Sequence, residues 1–184
     1  MKTKKRKVLG IVICIIAVVC GVMGIRTHMD KNTEQDTSRL EQIAQDGIPT
    51  VAVSNTDAKA GQKVKVPVYV VSNPGILGMT LSLSYDESIM QLVNVQEGEA
   101  FKDVLDMNYS KQLKSGCTFL WDGEDIITDQ ISDGKILILE FKILKSAPVG
   151  KSPIVLLCDT DGVVDRDIQP IDLRLENGSV TIRD

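Results

Sequence analysis

The sequence has few of the side chains on which most catalytic and nucleic-acid-binding sites depend. Only 4% of its 184 residues are aromatic, and there is a single histidine. This leaves little material for imidazole chemistry, or for a platform of rings that stacks on sugars or bases. Charged residues make up 25% and apolar residues 43% of the chain, which excludes both a wholly disordered chain and a protein with many membrane spans. At this length we expect one folded domain with additional segments.

Charge is distributed unevenly along the chain. Residues 1–25 contain five of the 21 Lys and Arg residues and none of the 25 acidic residues, so the remainder is acidic. An acidic domain repels phosphate backbones, and the sequence has no basic stripe or RNA-binding aromatic motif. We therefore expect no nucleic-acid partner.

A basic cluster and a long apolar run form the amino-terminal leader, residues 1–25. The apolar run covers residues 8–25, about 18 residues or roughly 27 Å as a helix. Positive charge on its amino-terminal side predicts a cytoplasmic amino terminus and an exported remainder. The leader is interpreted as a transmembrane anchor or a signal segment, with the anchor favoured. The small residues Val22 and Gly24 keep cleavage open, and lipidation of Cys20 is a third alternative.

Residues 26–47 are polar and poor in large apolar side chains, which is typical of a linker. Ser38 and Glu41 have the spacing of a capping box, which predicts one short helix at residues 39–45 that ends at Gly47. The segment is either a stalk that holds a domain away from a surface or a partly disordered leader. In both cases it acts as a spacer.

Residues 48–184 consist of short β-rich runs separated by turn residues, which predicts an all-β sandwich or barrel. We expect strands at residues 50–54, 63–71, 78–85, 90–96, 117–121, 135–144, 154–157 and 179–183. Because neighbouring side chains on a strand point to opposite faces, alternation indicates which residues face outward. The outward residues of the 78–85 strand are all small. Those of the 135–144 strand begin with Ile136 and Ile138, which predicts either a covering loop or an exposed patch for a protein partner.

The order of motifs in residues 48–184 resembles that of cohesin modules, which occur in the scaffolding proteins of bacterial cellulosomes. An Ala60-Gly61-Gln62 turn precedes the strand Val64-Lys65-Val66-Pro67-Val68. The later motifs follow in cohesin order: Leu83-Ser84-Tyr85-Asp86, Asp133-Gly134, Phe141-Lys142-Ile143 and Asn177-Gly178-Ser179-Val180. The resemblance covers essentially the whole domain and lies in the ordered set, since each motif alone is weak.

Similarity to cohesins implies a nine-stranded jelly-roll β-sandwich whose flat sheet face binds dockerin, a small helical module with two calcium loops. It implies that the chain is not an enzyme and carries no cofactor of its own, with calcium on the dockerin. The implied partner-binding residues lie on three strands and are Gly78, Thr80, Ser82, Ser84, Thr118, Leu120, Asp122, Ile136, Ile138 and Glu140. Many cohesins have Asn and Asp where Gly78 and Thr80 stand, so the dockerin class stays open.

The expected function is that of a non-catalytic scaffolding module at the bacterial cell surface, acting in polysaccharide degradation. The module is attached to the membrane through its amino terminus or secreted, binds dockerin-bearing enzymes or scaffoldins, and is monomeric on its own. A carbohydrate-binding sandwich is the alternative function, and it predicts that Trp121 or Tyr109 is exposed. A plain structural spacer is a third.

Two further groups of residues are candidates for metal binding or cross-linking. The acidic run at residues 159–167 resembles part of a calcium loop, but the register of an EF-hand loop would place Leu157 and Ile168 where acids are required. No metal site is therefore expected. Alternation places Trp121 with Cys117 in the core. Cys117 and Cys158 either form a disulfide in an oxidising exterior or remain buried thiols.

Overall fold

The computed structural model of the chain describes residues 31–124, 131–159 and 162–184. It contains helix α1 (Lys31–Asp46) and the strands β1 (Thr50–Val53), β2 (Asn55–Lys59), β3 (Lys63–Val71), β4 (Ile76–Tyr85), β5 (Met90–Glu97), β6 (Asp106–Tyr109), β7 (Cys117–Asp122), β8 (Gly134–Ile143), β9 (Gly150–Cys158), β10 (Val164–Asp165), β11 (Arg174–Glu176) and β12 (Gly178–Arg183).

The strands form two sheets. The five-stranded sheet has the order β11-β1-β3-β8-β5, and the seven-stranded sheet has the order β2-β12-β9-β4-β7-β6, with β10 paired to β4. The predicted β-sandwich is therefore confirmed. The described residues contain twelve strands rather than nine, partly because the chain changes sheets at Ser54. This residue separates β1, in the five-stranded sheet, from β2, in the seven-stranded sheet.

The core lies between the two sheets and follows the alternation of the sequence. On β4 the residues that alternate with the small outward ones, Met79, Leu81, Leu83 and Tyr85, are all buried. The bulkiest buried side chains include Trp121, Phe101, Phe119 and Phe141. Strands with one apolar and one polar face are typical of antiparallel sheets that cover a core on one side only.

A β-bulge in β8 reverses the predicted orientation of Ile136. Val68 of β3 pairs with Leu137 and Tyr69 pairs with Lys135, so Ile136 is left as an extra residue without its own partner on β3. An extra residue interrupts the alternation of side chains along the strand. Ile136 and Leu137 are consequently both fully buried. The prediction that Ile136 faces outward is wrong, because strict alternation does not hold across a bulge.

Helix α1 packs on the outer side of the five-stranded sheet. Ile43 is buried there in a small apolar cluster, together with Leu40, Ala44, Ala52, Tyr69 and Val71. The helix ends before Gly47 as predicted, and Gly47 has φ +67°, the left-handed conformation that ends many helices. The predicted helix at 39–45 was too short. Ser38 lies inside the observed helix rather than at its start.

Polar contacts attach α1 to the strands beneath it. Arg39 donates hydrogen bonds to the carbonyl oxygens of Val53, at 2.9 Å, and Asn177, at 3.3 Å. Asp36 accepts a hydrogen bond from the backbone N–H of Asn55 at 3.3 Å. Near the end of the helix, the Arg174 guanidinium lies 3.0 Å from the Asp46 carboxylate. The helical part of the predicted linker is therefore packed against the domain.

We expect Ile43→Ala to lower the free energy of unfolding by about 2 kcal/mol, the lower end of the range for buried isoleucines, because the cluster under α1 is small. Urea unfolding of the full chain measures this effect. Gln42→Ala is the matched control, since Gln42 is exposed on the same helix. Equal stabilities of the two variants would contradict a contribution of α1 to the folded domain.

Among the residues that the structure describes, no helix is long and apolar enough to cross a membrane. The predicted anchor or signal segment at residues 8–25 lies outside the described residues.

Candidate functional site

The candidate site is the outer side of the seven-stranded sheet, where short hydroxyl side chains alternate with the buried residues of β4 and β7. Thr80 of β4 is paired with Leu120 of β7, and Ser82 is paired with Thr118. On the other side of β4, Ser82 is paired with Leu157 of β9. We call this surface the hydroxyl face and define it by Gly78, Thr80, Ser82, Ser84, Ser110, Thr118, Leu120, Asp122 and Leu157.

The hydroxyl face is flat because its central strand carries only small outward side chains. Gly78, Thr80, Ser82 and Ser84 occupy the outward positions of β4, as alternation predicted, and each is partly exposed. At the β7 edge, the hydroxyl groups of Ser110 and Thr118 lie 3.0 Å apart, and Ser110 also accepts a hydrogen bond from the Thr118 N–H. These contacts fix the hydroxyl groups of Ser110 and Thr118 before a partner binds.

Two leucines interrupt the hydroxyl face. Leu120 is 43% exposed and Leu157 is 58% exposed, and they lie on opposite sides of β4, roughly 10 Å apart across the sheet. Full burial of a leucine side chain contributes about 1.5–3 kcal/mol, so the pair supplies a driving force for association that the hydroxyl groups do not. Leu120 was predicted as a partner-binding residue, whereas Leu157 was not. Because neighbouring residues on a strand face opposite sides, the inward position of Leu156 predicts that Leu157 faces outward.

Three of the predicted partner-binding residues lie elsewhere in the structure. Strand β8, with Ile136, Ile138 and Glu140, belongs to the five-stranded sheet, between β3 and β5. Ile136 is buried, Ile138 is partly buried, and Glu140 forms an ion pair with Lys63 at 2.9 Å. The hydrogen bond from Lys63 lowers the pKa of Glu140. The prediction that these residues share a face with β4 and β7 is wrong.

One end of the hydroxyl face is acidic. Asp122 of β7 is paired with Asp106 of β6, and both line a cavity of about 440 Å³ together with Glu97, Asp103 and Glu124. Burial raises the pKa of Glu97, and the nearby charge of Asp103 raises it further. Like charges in directly opposite positions of a sheet destabilise each other. This end of the face therefore favours a positively charged partner.

The described residues contain no group of three or more His, Cys, Asp or Glu side chains that could hold a metal ion. Part of the acidic run at 159–167, residues 160 and 161, lies outside the described residues. Within that run, the Asp165 carboxylate accepts hydrogen bonds from the backbone N–H groups of Asp167, at 2.9 Å, and Gln169, at 2.8 Å. Asp165 thus stabilises a turn.

Trp121 is a core residue, as predicted. Its side chain is fully buried and packs edge-on against Phe101, with ring centroids 5.9 Å apart. Tyr109 is 46% exposed at the edge of the seven-stranded sheet, 6.2 Å from the ring of Phe119. Of the two aromatic side chains that the carbohydrate-binding alternative named, only Tyr109 is available to a sugar.

Cys117 and Cys158 are both free. They lie on either side of β4, paired with Leu83 and Leu81 respectively. Burial raises the pKa of both thiols, which disfavours the reactive thiolate. Of the two alternatives left open by the sequence, the structure shows the free thiols.

Comparison with known sequences agrees with the resemblance that the order of motifs indicates. Residues 49–182, which begin after α1, match the Cohesin domain family. The chain is 25% identical over 138 residues to Cellulose-binding protein A of Clostridium cellulovorans and 25% identical over 145 residues to Cellulosomal-scaffolding protein A of Acetivibrio thermocellus. Each alignment covers 72% of this chain, but the chain spans only 7% and 8% of the length of these two proteins.

Solved structures with the same fold include cohesins bound to dockerins. The OlpC cohesin, in a type I cohesin–dockerin complex from Clostridium thermocellum, is 29% identical, with a TM-score of 0.63 over 74% of this chain and 94% of that one. The OlpA cohesin, in another such complex, is 20% identical, with a TM-score of 0.66 over 74% and 99%. A non-cellulosomal cohesin from the archaeon Archaeoglobus fulgidus is 18% identical, with a TM-score of 0.61 over 74% and 92%. With its sandwich fold and a family match over most of its length, the chain belongs to the cohesin family.

Proposed function

We propose that this chain is a non-catalytic scaffolding module that binds a dockerin-bearing protein through the hydroxyl face. The observation that carries the proposal is the pair of exposed leucines, Leu120 and Leu157, on a flat sheet face of short hydroxyl side chains. Stable interfaces combine apolar contacts that become buried with polar groups that form hydrogen bonds. The hydroxyl face offers both, because the two leucines flank the polar outward side of β4. The partner is an enzyme or a second scaffolding protein that carries the dockerin.

The opposite side of the sandwich is less suited to this role. Helix α1 already packs on the outer side of the five-stranded sheet, against Ala52, Tyr69 and Val71. A partner that docked there would have to compete with the helix. The hydroxyl face requires no such rearrangement, and rigid docking with little backbone movement is the usual behaviour of preformed interfaces.

The acidic end of the hydroxyl face favours a positively charged group on the partner. Asp106 and Asp122 are paired on neighbouring strands, and their mutual repulsion is relieved when a Lys or Arg side chain lies between them. The dockerin is therefore expected to present a basic residue over β6 and β7. Mutation of such rim charges mainly changes the rate of association and its dependence on salt.

The module acts outside the cell, in the assembly of enzymes that degrade polysaccharides. Support comes from the basic residues that precede the apolar run at residues 8–25, the pattern of a membrane anchor or signal segment. The chain is monomeric on its own and needs no cofactor, and the calcium ions of the complex belong to the dockerin. No step of this function requires a catalytic residue.

The function is tested by titrating the full chain with dockerins from the genome that encodes it, first with calcium and then with a chelator. We expect tight, saturable binding to at least one dockerin, and loss of binding on chelation. The thermal transition of this chain alone should not change with the chelator, which assigns the calcium dependence to the partner. Absence of binding across the whole panel would contradict the proposal. Saturable binding of a polysaccharide instead would favour the alternative based on Tyr109.

A further inference from the structure

A short hairpin extends the seven-stranded sheet beyond the acidic end of the hydroxyl face. It begins at β10, where Val164 pairs with Gly78 of β4 and Asp165 pairs with Ile76, and it returns at Pro170, which forms a bridge to Val164. A β-carbon on Gly78 would lie 3.4 Å from a methyl group of Val164. The Val164 side chain therefore lies on the same side of the sheet as the hydroxyl face.

Ile168, near the tip of this hairpin, combines two unfavourable features. Its backbone has φ +57°, a left-handed conformation in which the branched β-carbon crowds the carbonyl oxygen and which β-branched residues rarely adopt. Its side chain is also 64% exposed, more than Leu120 or Leu157. Glycine or asparagine would suit the backbone better, and a polar side chain would suit the solvent better. Strained residues of this kind are concentrated at functional sites.

Hydrogen bonds hold the tip in this conformation. The Ile168 N–H donates to the Asp165 carbonyl oxygen at 3.0 Å, and the Asp165 N–H donates to the Gln169 carbonyl oxygen, also at 3.0 Å. The Asp165 carboxylate accepts from the N–H groups of Asp167 and Gln169. The tip is thus a well-defined turn, and the Ile168 backbone is held in place before any partner arrives. A backbone that is preorganised in this way loses less conformational entropy on binding.

The hairpin is close enough to the hydroxyl face to share its partner. The turn keeps the α-carbon of Ile168 within about 7 Å of that of Asp165, which is itself paired with β4. An interface of ordinary size buries about 800 Å² on each partner, a patch about 30 Å across. A partner that covers Leu120 and Gly78 is therefore large enough to reach the hairpin tip.

We propose that Ile168 is a specificity-determining contact that packs against an apolar position at the edge of the bound dockerin. This inference rests on the proposed function and extends its interface from the sheet to the hairpin. The strain at Ile168 is then retained because the isoleucine side chain is used in binding. Dockerins that lack an apolar group at that edge are expected to bind more weakly.

The test combines stability and affinity measurements on the full chain with the dockerin that binds it. Ile168→Gly removes both the strain and the side chain, so its thermal midpoint should be equal to or higher than that of the original chain, whereas its affinity should fall about tenfold. Ile168→Asn keeps a residue that tolerates the left-handed conformation, and its affinity should fall to a similar extent. Ser72→Gly is the matched control, since Ser72 has φ +56°; its affinity should not change.

Unchanged affinity of both Ile168 variants would overturn the proposal. A loss confined to Ile168→Gly would also overturn it, because that result would assign the effect to the flexibility of glycine. The outcome is distinguishable from failure of the proposed function. If no dockerin binds the original chain, the function itself fails, whereas binding that depends on Leu120 but not on Ile168 removes only this inference.

Discussion

Leu120→Asp is expected to weaken dockerin binding by at least about a hundredfold while the fold remains intact. Leu120 is 43% exposed near the centre of the hydroxyl face, so the free module tolerates a charge at this position. In the complex the carboxylate would replace an apolar contact and be enclosed between two proteins, and burial of a charge at an apolar contact is strongly unfavourable. A hundredfold loss corresponds to about 2.7 kcal/mol. Isothermal titration measures the affinity, and the thermal midpoint verifies the fold.

Val93→Asp is the matched control for this experiment. Val93 is 38% exposed, close to the value for Leu120, but it lies on β5 at the edge of the five-stranded sheet. The same change of side chain on the other sheet should leave the affinity unchanged. A loss of binding in both variants would point to a general effect of added charge, and a loss in neither would exclude the hydroxyl face as the interface.

Trp121→Ala is expected to lower the free energy of unfolding by about 3–5 kcal/mol, the usual cost of removing a large aromatic side chain from a core. Trp121 is fully buried and packs between Phe101 and Phe119, so its removal leaves a cavity that the two sheets cannot close. A typical domain is stable by only 5–15 kcal/mol, and the variant should unfold at a much lower urea concentration.

Trp121→Phe removes the indole N–H but keeps much of the aromatic volume at this position. Within the described part of the chain, the indole N–H of Trp121 has no hydrogen-bond partner, so its loss removes an unfavourable buried polar group as well as volume. We expect the phenylalanine variant to be destabilised much less than the alanine variant. Alanine and phenylalanine variants with the same stability as the original chain would contradict the assignment of Trp121 to the core.

Much of the sandwich could be predicted because its strands alternate regularly. The outward set of β4 and the burial of Trp121 follow from side-chain alternation alone. The end of α1 at Gly47 follows from the local conformation that glycine allows. These features follow local patterns of side chains, which a single sequence shows directly. The ordered motifs, each weak on its own, were enough to indicate the cohesin family.

The position of β8, which carries the three wrongly placed site residues, depends on interactions between residues distant in sequence. Alternation gives the inward and outward sides of β8 but not the sheet that it joins, and β8 joins β3 and β5 rather than β4. The bulge at Ile136 arises from the pairing with β3, which the β8 sequence alone does not show. Leu157, by contrast, could have been found from the sequence, because Ile154 and Leu156 already define the inward side of β9.

The central claim is that the hydroxyl face, and not the five-stranded sheet, binds the dockerin. Amide chemical-shift mapping of the isotope-labelled full chain, titrated with the unlabelled dockerin, tests it most directly. The account predicts that the largest shifts occur in β4, β7 and β9, around Thr80, Leu120 and Leu157. Largest shifts in β5 and β8, around Ile138 and Glu140, would contradict it.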